Sequence, residues 1–364
     1  WILYAPGNSI STEDTNLPAG YNWQLNVTSP YVITGLVNGR TYAFAMNGRT
    51  DNGPGGASTA SVTAVPRPAG GYWNAGTGSG TNDLKGVTYG TASDASVNYL
   101  AVGTNSAMYK SLDGITWNPI GTAPPATNFT AAQNGRGFFL AATDNGTIYR
   151  SSDLAVWTAS ATGGTSINAI AASGTLAVAV GNGGKIYTSS DAITWTAAAS
   201  SGVATTQNLY GVSYSPRGLW FAVGAAGTIL TSPDANTWTL YAMGGNDLRA
   251  VTAQQNGGTF SYVAVGLNNT SWQSADGITW VTAPGLVGSF YAITATSAQF
   301  VTVGSGGASY VSTNGTTWAP TNTTGGGTGT LSPTASGNKT LYSVINPTFK
   351  YVAVGAAGTN ISSQ

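Results

Sequence analysis

The sequence predicts an all-β chain, a seven-bladed β-propeller preceded by part of a smaller β-sandwich. Three observations predict it. A small-Val-Gly strand end followed by Ser-x-Asp-x-x-x-Trp recurs about every 38 to 44 residues, and a repeat of that length with several short strands is a blade. Apolar residues make up 41% of the chain against 7% charged, and they fall in repeating runs, as a packed fold requires. The last copy stops short of its own tryptophan, while a spare one, Trp73, precedes the first copy. That mismatch supplies a way to close a ring.

At the N-terminal end, Tyr31 to Phe44 alternates apolar and polar residues on both sides of an Asn38-Gly39 turn, and Ala57 to Val65 follows as a further strand-like run. Together they resemble the second half of a fibronectin type III domain across nearly all of residues 1–66. The resemblance implies that Tyr42 makes the corner hydrogen bond of that family and that Trp1 to Tyr4 is its third strand, with the first two strands, roughly 25 residues, missing. The segment is then a truncated spacer module, or its open sheet edge is completed by a strand from another chain. Residues 67–71 are read as a linker and 72–364 as the propeller. The chain opens at Trp1 with no initiator Met or signal sequence, so the expectation is a processed product or a fragment.

One blade reads off Asn208 to Leu240. Leu209 to Tyr214 is the inner strand, Trp220 to Gly224 the second, Thr228 to Ser232 the third, and Thr237-Trp238-Thr239 the outer one. Gly211 supplies the small residue needed where blades crowd the axis, and Gly86, Ala131, Ala169, Ala250, Ala292 and Ser343 fill the same column elsewhere. Tyr99, Phe139, Trp220, Tyr262, Phe300 and Tyr351 align in the second strand. An aromatic column at blade spacing is core between packed sheets, not a ligand stack.

The turns around Asp113, Asp153, Asp191, Asp234 and Asp276 resemble the Asp box of sialidase-like (BNR) propellers and of the photosystem-assembly-factor family, in a form one residue shorter, with Asn314 in one copy. Phe221 to Ser232 is most similar to the assembly-factor family. The resemblance spans residues 72–364 and implies the fold. An Asp in such a turn binds nearby backbone amides, so these five carboxylates are read as structural. In the seventh copy, Leu341 to Val344, Tyr351 to Gly355 and Thr359 to Ser362 give three strands, and Tyr72-Trp73-Asn74 is the strand expected to complete that blade.

Chemistry is scarce. The chain has no His and no Cys, and its only Glu, Glu13, lies outside the propeller. The arginine cluster, Tyr–Glu nucleophile pair and Asp acid that a sialidase needs cannot be assembled from Arg136, Arg150, Arg217, Arg249 and the remaining Asp83, Asp94, Asp144 and Asp247. The chain is therefore read as non-enzymatic, with no metal or cofactor. Twelve basic residues balance twelve acidic ones, which gives no case for nucleic acid, and no apolar run of 18 residues suggests a membrane span.

Binding remains. The position before the small column holds Lys85, Thr130, Asn168, Tyr210, Arg249, Tyr291 and Tyr342, a ring at one channel mouth of which Lys85, Tyr210, Arg249, Tyr291 and Tyr342 could hold a sugar or peptide. The alternative is that they pack on neighbouring blades and fill the channel. Thr321 to Lys339, the longest connection between blades, is a flexible insertion or a contact loop. Low charge, a Gly/Thr/Asn-rich surface and the open edge lead to the expectation of an extracellular or cell-surface structural protein, a scaffold, appendage or filament subunit. Its partners would be copies of itself, other surface proteins or glycans. A carbohydrate- or protein-binding adhesin or lectin-like propeller is the second expectation, and a sialidase-like hydrolase a remote third.

Overall fold

A computed structural model describes residues 2–9, 22–24, 33, 36, 40–46, 60–64, 73–124, 127–321, 338–346 and 350–363. The Asn38-Gly39 turn, Glu13, the linker 67–71, Tyr72 and almost all of the Thr321–Lys339 connection lie outside them. The chain divides into two compact units, Trp1–Pro68 and Ala69–Gln364.

In the first unit β1 (Ile2–Pro6), β2 (Asn22–Gln24), β3 (Tyr42–Met46) and β4 (Val62–Ala64) form one antiparallel sheet in the order β2-β1-β3-β4. The long-range pairing sets Ile2 opposite Met46 and Pro6 opposite Tyr42. Ala5, Ala43 and Ala45 are buried on it, and the Tyr4 and Phe44 rings stack 6.1 Å apart.

The second unit is built of four-stranded antiparallel sheets, seven of them among the described residues. Their first strands are Leu84–Thr91, Phe129–Gly135, Ile167–Ala172, Leu209–Tyr214, Leu248–Asn256, Phe290–Ala295 and Leu341–Ile345. Each first strand packs against that of the next sheet, and Leu341–Ile345 packs against Leu84–Thr91, so the series closes on itself. The small column lies at these contacts. A Cβ added to Gly211 would come within 2.7 Å of the Arg249 carbonyl oxygen on the next sheet. The glycine of the Val-Gly step is required for a related reason, since a Cβ on Gly224 would lie 2.1 Å from the Asn208 carbonyl oxygen.

The core lies between sheets. Val178, Val180 and Ile186 of the third sheet pack with Leu209, Trp220, Leu230 and Trp238 of the fourth. The second-strand aromatics are buried as the column predicts, with Tyr262, Phe139 and Phe300 fully enclosed. Their tryptophan partners differ from expectation in one respect. Trp238 does not lie in the outer strand, which is Thr239–Ala242; it precedes that strand and turns inward, donating from Nε1 to the Ala235 carbonyl at 2.9 Å.

The same displacement corrects the closing strand. Pairing with the last sheet is made by β5 (Asn74–Ala75), with Ser362 opposite Asn74 and Ile361 opposite Ala75; the expected Tyr72–Asn74 segment shares Asn74 with it, and Tyr72 lies outside the described residues. Trp73 precedes the outer strand as the other tryptophans do, buried 6.4 Å from the Tyr351 ring, just as Trp318 lies 6.4 Å from Phe300. Further contacts fasten the closure: Ser79 donates to the Gly358 carbonyl at 2.6 Å, and Asn360 Nδ2 donates to the Ser79 hydroxyl.

Candidate functional site

All seven first strands begin with the same irregularity. Register shifts separate Leu84 from Gly86, Phe129 from Ala131, Ile167 from Ala169, Leu209 from Gly211, Leu248 from Ala250, Phe290 from Ala292 and Leu341 from Ser343. The residue passed over is in each case the predicted ring residue. It is the extra residue of a β-bulge, and a bulge re-aims its side chain away from the ladder. Lys85, Thr130, Asn168, Tyr210, Arg249, Tyr291 and Tyr342 accordingly line one recess of about 410 Å³, together with Thr104, Asn128, Phe129 and Asp144.

The recess has two unlike arcs. Thr130 donates its hydroxyl to the Ile167 carbonyl, and Asn168 donates to the Leu209 carbonyl and to Asn182 Oδ1, both at 2.8 Å. These two polar groups are spent on neighbouring sheets, as the packing alternative expects. The other five residues form an aromatic and cationic arc. Lys85 Nζ stands 3.5 Å from the centroid of the Tyr342 ring, and Tyr342 meets Tyr291 edge-on at 5.6 Å. The Arg249 guanidinium lies 4.0 Å from the centroid of Tyr210.

Two carboxylates that the sequence reading set aside complete the arc. Asp83 pairs with Lys85 and Asp247 with Arg249, each at 3.0 Å and each two residues earlier in the same strand entry. Each Asp also accepts a backbone N–H from the preceding sheet, Ala357 to Asp83 at 2.9 Å and Ala226 to Asp247 at 3.2 Å. Those amides belong to Ala-Ala-Gly turns in which Ala226 and Ala357 hold positive φ of 51° and 49°. The Ala357 N–H, opposed by burial and then helped by Lys85, holds the Asp83 carboxyl below its usual range. Asn128 and Asn208 reach the preceding sheet in the same way, accepting from Asn105 and Gly183. An i, i+2 relation between a short acceptor and a cation, Asp83/Lys85 and Asp247/Arg249, is the signal that could have found this layer.

The Asp turns stand apart from the recess. A first strand starts at the mouth and the hairpin after the second strand returns to it, so the turn after the third strand lies at the opposite end. In each, one carboxylate oxygen accepts two consecutive amides and a serine hydroxyl: for Asp276, from Ile278 at 2.8 Å, Thr279 at 2.7 Å and Ser274 at 2.9 Å. Asp113, Asp153, Asp191 and Asp234 repeat this, and Asn314 substitutes its amide oxygen at 2.9 Å from both Thr316 and Thr317 N–H. Lys350 donates to the Asp113 carbonyl across the closure. Among the described residues no helix is long and apolar enough to cross a membrane.

No protein-family model and no curated protein matches the chain. Solved structures do. It is similar to YCF48 bound to D1 peptide (TM-score 0.59, 16% identity, 80% of this chain and 96% of that one) and to YCF48 from Cyanidioschyzon merolae (0.59, 17%, 80% and 98%). The fold is a β-propeller. At these identities the likeness is one of fold, and it bears out the resemblance of the repeats to propellers at that level. It also corrects the expectation of an extracellular or cell-surface structural protein, with its filament, adhesin and lectin-like forms. The propellers matched are YCF48, one of them holding a peptide. The Gly and Asn content that entered that expectation has a local cause, because these residues furnish close strand contacts and many of the positive-φ turns of the ring.

Proposed function

We propose that the chain is a non-enzymatic peptide-binding propeller of seven blades, and that the recess lined by Lys85, Tyr210, Arg249, Tyr291 and Tyr342 receives the peptide. The observation that carries this reading is the repeated bulge, which turns one side chain per sheet toward a common recess. A volume of about 410 Å³ falls within the roughly 300–1,000 Å³ of small-ligand and side-chain pockets. Three tyrosines give apolar faces with polar tips, and Lys85 and Arg249 have donors to spare for main-chain carbonyls after their single bonds to Asp83 and Asp247. The peptide on one of the matched YCF48 structures supports the same class of ligand. The five Asp turns serve as architecture in this reading.

For the first unit we infer a partial fibronectin type III module over residues 1–66, linked by 67–71. The sheet order β2-β1-β3-β4, with Tyr42 at the start of β3, supports it.

The test is selection from a random peptide library displayed on phage against the whole chain, followed by fluorescence anisotropy on enriched peptides. Arg249→Ala and Tyr342→Ala should each weaken binding at least about tenfold, the loss expected of an aromatic or arginine anchor. Undiminished affinity in both variants would remove the site from this recess.

A further inference from the structure

Resting on the peptide reading above, we infer that the bound segment presents a cation, a lysine or arginine side chain or a free amino terminus, to Asp144. The charges at the recess are not all paired. Lys85 is matched by Asp83 and Arg249 by Asp247, each within its own strand entry. Asp144 lines the recess itself, and it makes no ion pair among the described residues. The lining thus holds two cations that are already paired from outside it and one carboxylate that is not.

Asp144 is also held in place. Asn128 Nδ2 donates to its Oδ2 at 2.9 Å, and its own N–H donates to the Asn128 carbonyl at 3.1 Å. The Asn128 amide has no freedom to turn round, because its Oδ1 accepts the Asn105 N–H at 3.0 Å. An exposed carboxylate held through one oxygen by a side chain that is itself fixed, and lacking a counterion among the described residues, is suited to a ligand cation. The aromatic arc agrees with this. Tyr342 and Tyr210 each already have a cation on the ring, whereas Tyr291 has only the edge contact with Tyr342 among the described residues.

The same bonds argue against an acidic ligand. A ligand carboxylate approaching Lys85 or Arg249 would find the charge already answered by Asp83 or Asp247, each 3.0 Å away and each fixed by a turn amide of the preceding sheet, at Ala357 and Ala226. A cation at Asp144 displaces nothing.

The experiment uses the library selection on the whole chain, with Arg249→Ala/Tyr342→Ala as the counter-selection, and then Asp144→Asn. That substitution keeps the side-chain shape and an acceptor for Asn128, and a thermal melt verifies its fold. The expected result is enrichment of Lys, Arg or an obligatory free amino terminus. Replacing that lysine by norleucine should cost about fivefold in affinity, Asp144→Asn about the same, and the two together little more, the size of one exposed charge pair. Acetylating the amino terminus separates the two sources of the cation. Enrichment of acidic or uncharged peptides, with Asp144→Asn silent and Arg249→Ala still damaging, would overturn the cation and leave the peptide reading intact. No enrichment over the counter-selected variant would defeat the peptide reading, and the cation with it.

Discussion

The Arg249 guanidinium carbon lies 4.0 Å from the centre of the Tyr210 ring. The two residues occupy equivalent bulges on neighbouring first strands, so this contact spans two sheets at the rim of the recess. A planar cation over a ring depends on the plane as well as the charge. Arg249→Lys should therefore recover only part of the peptide affinity lost in Arg249→Ala, while both variants change the urea midpoint little. Full recovery in titrations of the lysine variant would show that charge alone matters.

Asp276 tests the structural reading of the Asp turns. Removing its carboxylate orphans the Ile278 and Thr279 amides, and Asp276→Ala should cost about 1–2 kcal/mol in urea denaturation, the scale of a lost acceptor for backbone donors. Asp276→Asn should cost much less, because Asn314 serves the same turn in another sheet. Peptide binding should be untouched by either.

The Asp turns also set the acid limit of stability. For Asp113, burial pulls upward but is outweighed by the Thr116 and Ile115 amides, which leaves the carboxyl at about 2. For Asp191, the Thr194 and Ile193 amides, aided by Ser189, hold it at about 2. The Thr279 and Ile278 amides depress Asp276 further, and Asp153 and Asp234 are lowered by amides of their own turns. A folded value below the unfolded one, about 4, stabilises the fold above that pH, and the contribution is lost as pH falls toward about 2. Thermal melts should be flat from pH 5 to 8, where a chain without His has no His to titrate, and should fall steeply between about pH 4 and pH 2. A midpoint drop near pH 6 would contradict this.

Trp73 tests the closure. It is buried against Tyr351 within the last sheet although it lies before the first. Trp73→Ala should cost about 3–5 kcal/mol in the urea-unfolding free energy, as for other buried aromatics. A loss near that of an exposed residue would mean that the last sheet stands without it.

Much of this architecture was legible in the sequence because it rests on periodic apolar and small residues. The aromatic columns, the Val-Gly steps, the Asp turns and the spare Trp73 each carry a signal at blade spacing. Strand ends were less legible. Trp238 and Trp73 sit in a strand-like context, yet each turns inward before its outer strand starts, and nothing in residue type marks that point. The ring residues were found by alignment to the small column, but the reason they converge, a bulge at each strand entry, has no composition of its own. Asp83 and Asp247 were passed over because each is held by an amide of a neighbouring sheet, and Asp144 because its partner, Asn128, is 16 residues away in sequence. The extracellular expectation failed for a related reason: composition reported the turn chemistry of the fold rather than its surroundings.

The bond from Asn360 to Ser79 joins residues 281 positions apart. During synthesis, Trp73, Asn74 and Ser79 emerge from the ribosome long before the strand they join exists. Six sheets have all of their strands in sequence order and can assemble as they appear, but the seventh cannot. The circle therefore stays open, with one sheet edge waiting, until Asn360–Ser363 has been made. Closure is a late event governed by this long loop, and the interval before it is when the nascent chain is most exposed to pairing with the wrong edge.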